Sequence, residues 1–129
     1  MTEQTNKKIL IIDDDNFLLD MYALKFGQSG YAVQTALGSM PALEILKTGF
    51  KPDTVLLDLV MPVMDGFELL KKMKDENLAS GATCIILSNR GQEEDIKKGK
   101  ELGADGYIIK ANTTPGEVIE KVESILKKH

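Results

Sequence analysis

Apolar positions in this chain fall into two alternating patterns. Short continuous runs, Ile9-Leu10-Ile11-Ile12, Val55-Leu56-Leu57, Cys84-Ile85-Ile86-Leu87 and Tyr107-Ile108-Ile109, are separated by longer stretches where apolar residues recur every three or four positions. An unalternated, β-branched run predicts a strand covered on both faces, a feature of parallel sheets. Tyr31 to Ala36 differs, with Val33 and Thr35 set against Gln34, and this alternation predicts a half-exposed edge strand.

The intervening stretches predict helices, bounded by recognisable signals. Phe17, Leu18, Met21, Leu24 and Lys25 lie at helical spacing, with Gly27 and Gly30 as the stop. Gly38-Ser39 and Pro41 open a second helix carrying Leu43, Ile45 and Leu46, and Gly49 and Pro52 close it. Asp65 is placed to cap a third, with Glu68 completing a capping box and Phe67, Leu70 and Met73 facing inward. After a turn-rich break at 77–81, the segment Gln92 to Leu102 offers only Ile96 and Leu102 as an apolar face, with Gly99 between them. It is expected to be the least firmly packed helix. Gly103 ends it. Thr114-Pro115-Gly116-Glu117 combines a capping threonine, an N1 proline and an N3 glutamate ahead of Val118, Val122, Ile125 and Leu126.

Five strand–helix alternations imply a parallel sheet with right-handed crossovers and helices on both faces. In such a sheet every strand ends on the same edge, where open α/β folds place their chemistry. Here the runs deliver Asp13-Asp14, Asp58, Ser88 and Lys110 to that edge. Carboxylates held a few ångströms apart repel one another unless a cation sits among them. Oxygen-only ligands in a partly solvated setting favour Mg²⁺. A lysine opposite and a hydroxyl beside it complete a pocket for a phosphoryl group, in which one carboxylate can act as nucleophile.

Composition narrows the function classes. The chain has 129 residues, enough for one domain with a single core, and is 43% hydrophobic and 28% charged. A net charge of −4 and a pI near 5.0 argue against direct nucleic-acid binding, which needs a basic footprint. The one cysteine, Cys84, excludes an internal disulfide and is read as a small buried hydrophobe. No run approaches a membrane span and no signal sequence is evident, so no membrane association and a cytoplasmic location are expected. Residues 1–6 are expected to be a flexible tail.

The motifs resemble those of the receiver domains of two-component response regulators (CheY-like), over essentially the whole chain. Ile-Ile-Asp-Asp looks like the acid pair of that family, Leu-Leu-Asp-Leu-Val-Met-Pro-Val-Met-Asp-Gly resembles its phosphoacceptor motif, and Leu-Ser and Gly-Tyr-Ile-Ile-Lys match its hydroxyl and lysine positions. The resemblance implies a flavodoxin-like, doubly wound, five-stranded sheet of order 2-1-3-4-5 flanked by five helices, with residues 1–129 forming a single receiver domain. It implies that Asp58 accepts phosphate from a histidine-kinase phosphohistidine. Asp13 and Asp14 would hold Mg²⁺ together with Asp58 and the backbone carbonyl of Val60. Ser88 would contact a phosphoryl oxygen, Lys110 would pair with it, and Tyr107 would be the aromatic switch residue. The chain would then be a signalling switch rather than a turnover enzyme, catalysing only its own phosphoryl uptake and loss. Its changed surface would comprise the last two helices and the last strand.

Partners implied are a sensor kinase or phosphotransfer protein, a downstream protein, and a second copy in a phosphorylation-dependent homodimer. With no effector domain in the sequence, the chain is either a stand-alone regulator or a receiver from a longer protein. Two positions depart from the family pattern. Ala111 follows Lys110 where the family has proline, often with a cis bond, so a trans peptide is expected. Val60 and Arg90 occupy the positions that tune phosphoryl lifetime, and an apolar Val60 cannot orient an attacking water, so a long-lived phosphoryl group is expected.

Other readings compete with these. Asp15 reads as a cap for the first helix, Met61 and Met64 as loop packing, and His129 carries no role. Ser88 could cap the following helix and Tyr107 could be a plain core or edge aromatic. A small Mg²⁺-dependent phosphohydrolase of haloacid dehalogenase type would use Asp13 as nucleophile and Asp15 as acid/base, although Phe17 stands where that pattern wants Thr or Val. A degenerate receiver acting only as an interaction module conflicts with the complete acidic set. A flavodoxin-like cofactor binder would need a first loop rich in Ser, Thr and Gly, and this one reads Asp-Asp-Asp-Asn-Phe.

Overall fold

Strands and helices alternate throughout the computed structural model, which describes residues 7–128; the expected tail at 1–6 and His129 lie outside the described residues. The elements are β1 (Lys8–Asp13), α1 (Asn16–Gln28), β2 (Ala32–Leu37), α2 (Ser39–Lys47), β3 (Thr54–Leu57), α3 (Gly66–Asp75), β4 (Thr83–Ser88), α4 (Glu93–Glu101), β5 (Gly106–Ile109) and α5 (Pro115–Lys127), with a 3₁₀ turn at Lys110–Asn112. All strands pair in parallel in the order β2-β1-β3-β4-β5. The fold is the flavodoxin-like one that the resemblance implies.

The side-chain period of two sorts each central strand into two cores. Ile9, Ile11, Leu56, Ile85 and Leu87 pack under α1 and α5 with Leu19, Phe26, Val118 and Val122. Leu10, Ile12, Val55, Leu57, Cys84 and Ile86 pack under α2 and α3 with Leu43, Leu46, Leu70 and Met73. Burial on both faces is what the unalternated runs anticipate, and each fully buried Leu or Ile stabilises the fold by about 1.5–3 kcal/mol. β2 has only one strand neighbour and its side chains alternate between exposed and half-buried until Ala36, as expected of an edge.

Expectations about three helices need correction. In α1 the buried face is Leu19, Tyr22 and Phe26, whereas Phe17 and Leu24 are 75% and 61% exposed. Apolar residues occur on most sides of this helix, so its spacing alone did not select the inward face. Gly27 lies inside α1, and the chain turns at Gly30 (φ 92°) instead. α4 is thin as expected, but Ile96 is exposed and the buried residues are Asp95 and Gly99. A side chain at Gly99 would meet Ile86 Cδ1 at 2.6 Å, so α4 lies close to the sheet at this glycine. Ile125 and Leu126 of α5 are half-buried, and Ile119 joins Val118 and Val122 in the buried face. The capping boxes at Asp65/Glu68 and Thr114/Glu117 are both formed.

Candidate functional site

The β3 strand ends against β1 through the Asp58 N–H, which donates to the Ile12 carbonyl at 3.0 Å. This anchors Asp58 beside Asp13 at the C-terminal edge of the sheet. Both side chains are buried, and Asp14 is exposed. Lys110, at the end of β5, reaches across to both: its Nζ donates to Asp13 Oδ2 at 2.6 Å and to Asp58 Oδ2 at 3.0 Å. The remaining oxygens are also engaged. Asp58 Oδ1 accepts from the Leu59 N–H at 2.7 Å, and Asp13 Oδ1 accepts from the Asp15 N–H at 3.0 Å.

Charge is unbalanced here. Asp13, Asp14 and Asp58 each offer a carboxylate oxygen within 4.8 Å of the others. Three carboxylates against the single ammonium of Lys110 leave two net negative charges. Burial drives the Asp13 carboxyl above the usual range, outweighing the hydrogen bonds from Lys110 and the Asp15 N–H that favour its anion. Burial also works against the Lys110 charge, but its hydrogen bonds to Asp13 and Asp58 outweigh this and hold the ammonium above its ordinary value. A hard divalent cation answers both the excess charge and the all-oxygen donor set. The residues fit Mg²⁺.

Ser88 and Tyr107 reach the same edge but point elsewhere. Ser88 is fully buried and its Oγ accepts from the Arg90 N–H at 3.2 Å. It does not cap α4, whose N-cap is Gln92. The Tyr107 hydroxyl donates to the Arg90 carbonyl. Burial, then the nearby Asp95 charge, raises the Tyr107 phenol above its usual value. The Arg90 guanidinium pairs with Asp95 at 2.8 Å and lies 5.9 Å from the centroid of the Phe67 ring, which Lys98 also approaches at 4.7 Å. Val60 is 57% exposed, with its side chain open to solvent at the rim. The Lys110–Ala111 peptide is trans, since no cis bond occurs among the described residues.

The loop that follows Asp58 is pinned on two sides. Ser39 donates to the Met64 carbonyl at 2.7 Å, with Met61 packed into the core beside it. The Gly66 N–H donates to the Leu59 carbonyl at 2.9 Å, and a Cβ at Gly66 would lie 2.2 Å from the Asp58 carbonyl oxygen, so the N-terminus of α3 packs directly on the Asp58 backbone. Asp15 caps α1, accepting from the Leu18 N–H at 3.2 Å, and its carboxylate is committed to that role.

The family model of the response regulator receiver domain matches residues 9–123. The chain belongs to this family. It is 37% identical over 126 residues to sporulation initiation phosphotransferase F of Bacillus subtilis, covering 96% of this chain and 94% of that protein. It is 32% identical over 120 residues to the chemotaxis protein CheY of Halobacterium salinarum, covering 93% and 97%. The alkaline phosphatase synthesis transcriptional regulatory protein PhoP of B. subtilis is 36% identical over 123 residues, covering 95% of this chain but 50% of PhoP; the chain thus spans about half the length of some relatives. Among solved structures, the Francisella response regulator 1452 receiver domain superposes with a TM-score of 0.84 at 30% identity, covering 95% and 98% of the two chains. The protein is therefore a CheY-like receiver domain of the response regulators.

Reading the sequence alone misses two participants. Asp95 is an acid in the first turn of a helix, where favourable interaction with the helix dipole is explanation enough. The spacing Arg90–Asp95 could have suggested a pair, but nothing marked that carboxylate as buried. Helical spacing marks Phe67 only as an inward-facing core residue; it is that and a platform for two cations.

Proposed function

We propose that Asp58 is the phosphoacceptor of a Mg²⁺-dependent receiver switch, and that residues 1–129 act as a single receiver domain. The observation that carries this is the meeting of Asp13, Asp14, Asp58 and Lys110 from three strand ends, with two more negative charges than positive. Asp13, Asp14 and Asp58, with the Val60 carbonyl, would hold the ion, which when bound supplies positive charge to the phosphoryl oxygens. In the transfer, an oxygen of Asp58 bonds to phosphorus as the nitrogen–phosphorus bond of a phosphohistidine breaks, and the electron pair stays on the imidazole nitrogen.

Lys110 already lies 3.0 Å from Asp58, placed to pair with a phosphoryl oxygen. A new charge of about −1.5 to −2 on Asp58 draws Ser88 and Lys110 toward it and biases the weakly packed α4 together with Tyr107. The donor is external: a sensor histidine kinase or phosphotransfer protein, consistent with the likeness to sporulation initiation phosphotransferase F. A downstream protein, or a second copy of the chain, reads the surface of α4, β5 and α5. The setting is cytoplasmic, in keeping with an unpaired buried cysteine and no described helix long and apolar enough to cross a membrane. Beyond its own phosphoryl uptake and loss, the chain turns over no substrate. The exposed, apolar Val60 side chain leaves hydrolysis without an orienting group and the phosphoryl group long-lived; an unchanged loss rate in Val60→Asn would refute this.

Acetyl phosphate with Mg²⁺ tests the acceptor. The chain is expected to gain one acid-stable, base-labile phosphoryl group, absent in Asp58→Asn. Labelling that persists in Asp58→Asn, or that shifts to dependence on Asp13, refutes the assignment.

A further inference from the structure

Lys110 stands one residue beyond the sheet. The paired register of β5 with β4 runs from Gly106 to Ile109 and ends there, and β5 is an edge strand with no neighbour on its other side. Yet the Lys110 ammonium lies 2.6 Å from Asp13 Oδ2 and 3.0 Å from Asp58 Oδ2, on a side chain only 10% exposed. Ala111 brings no ring to stiffen the turn that follows. The hold comes from Thr113. Its hydroxyl donates to the Ile109 carbonyl at 2.6 Å, and its N–H donates to the Lys110 carbonyl at 3.1 Å.

These two bonds act on the two rotations that aim Lys110. The peptide before Lys110 carries the Ile109 carbonyl and the peptide after it carries the Lys110 carbonyl, and each is a rigid plane. The φ and ψ of Lys110 are turns of those planes about its Cα. Tying both oxygens to one residue therefore fixes the direction in which a long, flexible side chain sets out. Thr113 is itself held from its far side. The Thr114 N–H donates to Glu117 Oε1 at 2.9 Å and the Thr114 hydroxyl accepts from the Glu117 N–H at 3.2 Å, while Val118 and Val122 root α5 in the core. A threonine hydroxyl bonded four residues back is a common way to close a turn. What singles out this one is that its acceptor adjoins the residue that reaches the acidic pair. We infer that Thr113 is a positioning residue for Lys110: its hydroxyl fixes the β5–α5 turn so that the ammonium stands against Asp13 and Asp58, where the phosphoryl group arrives. The inference rests on the assignment of Asp58 as phosphoacceptor.

The full chain is compared with Thr113→Val, which keeps the shape and removes the donor, and with Thr113→Ser, which keeps the donor. Two quantities are read: the rate of acetyl phosphate labelling with Mg²⁺, and the NMR relaxation of the Lys110 Cε signal without any phosphodonor. Thr113→Val is expected to label about tenfold slower, less than the roughly 100-fold that a misplacement near 1 Å can cost, because the bond from the Thr113 N–H remains. Its Lys110 Cε is expected to become mobile on the ps–ns scale, while Thr113→Ser matches the parent in both. The Val118 and Val122 methyl signals should keep their parent positions, which separates lost aim at Lys110 from a loosened α5. Parent-like labelling or a parent-like Lys110 signal in Thr113→Val overturns the inference, as does a Thr113→Ser chain as impaired as Thr113→Val. Val118 and Val122 signals that shift together with Lys110 overturn it too, since the hydroxyl would then serve the packing of α5. A parent chain that fails to label overturns the Asp58 assignment instead, and the Lys110 signal alone then decides the role of Thr113.

Discussion

The same substitution, glycine to alanine, is expected to have opposite signs at two positions of this protein. At Gly66 an added Cβ would lie 2.2 Å from the Asp58 carbonyl oxygen and 2.8 Å from Leu59 Cα, both backbone atoms. Ordinary carbon–oxygen contact is about 3.3 Å, so α3 or the Asp58 peptide must move by roughly 1 Å. The hydrogen bond from the Gly66 N–H to the Leu59 carbonyl resists that separation. Overpacking of this kind costs about 1–3 kcal/mol, and at a helix N-terminus alanine recovers little of it. At Gly27, exposed in the last turn of α1, nothing lies within 4 Å of the added Cβ. There the gain in helix propensity is about 0.5–1 kcal/mol. At roughly 4 °C per kcal/mol for a domain of this size, Gly66→Ala should melt about 4–12 °C lower and Gly27→Ala about 2–4 °C higher. Gly66→Ala should also slow acetyl phosphate labelling, because a misplacement near 1 Å can cost about 100-fold in rate. Thermal unfolding by circular dichroism and a labelling time course check both. A Gly66→Ala chain that melts and labels like the parent would refute the backbone-contact argument.

Three further outcomes follow from single features. The Thr54 hydroxyl is fully buried with no partner among the described residues, so Thr54→Val should raise stability by about 1 kcal/mol in chemical denaturation; a loss would show that the hydroxyl is satisfied. Val63 has φ 71° in a tight turn closed by the Met64 N–H to the Pro62 carbonyl at 2.8 Å, a conformation costly for a β-branched residue. Val63→Asn should stabilise by about 1 kcal/mol, read as a melting-temperature increase, and no increase would argue against strain there. Burial, reinforced by Glu123, pushes the Tyr31 phenol from 10.0 up to about 12. A raised folded pKa for an acid means that stability is intact below pH 10 and is lost as the pH climbs toward 12. Tyr31→Phe should therefore lose less stability across that window in a melting series, and an identical slope would remove Tyr31 as the cause.

Local patterns determined much of this protein. Ile9–Ile12, Val55–Leu57 and Cys84–Leu87 read as strands buried on both sides, and a parallel arrangement sends Asp13, Asp58, Ser88 and Lys110 to one edge. The capping boxes at Asp65 and Thr114 mark helix starts because their hydrogen bonds close within three residues. What only the tertiary structure decided depends on which neighbour each residue meets. α1 carries apolar residues around most of its circumference, so the sheet rather than the helix chose Leu19, Tyr22 and Phe26 over Phe17 and Leu24. Asp95 is chemically like the acids beside it in α4, and only its placement beside Arg90, whose guanidinium lies over the Phe67 ring, makes it a buried partner. Lys110 could be assigned to the acidic edge from its strand, but its simultaneous bonds to Asp13 and Asp58 needed β1, β3 and β5 brought together. Periodicity and caps are encoded within a few residues of chain, whereas burial, charge pairing and the close backbone packing at Gly66, where an added Cβ would lie 2.2 Å from the Asp58 carbonyl oxygen, depend on how separate elements meet.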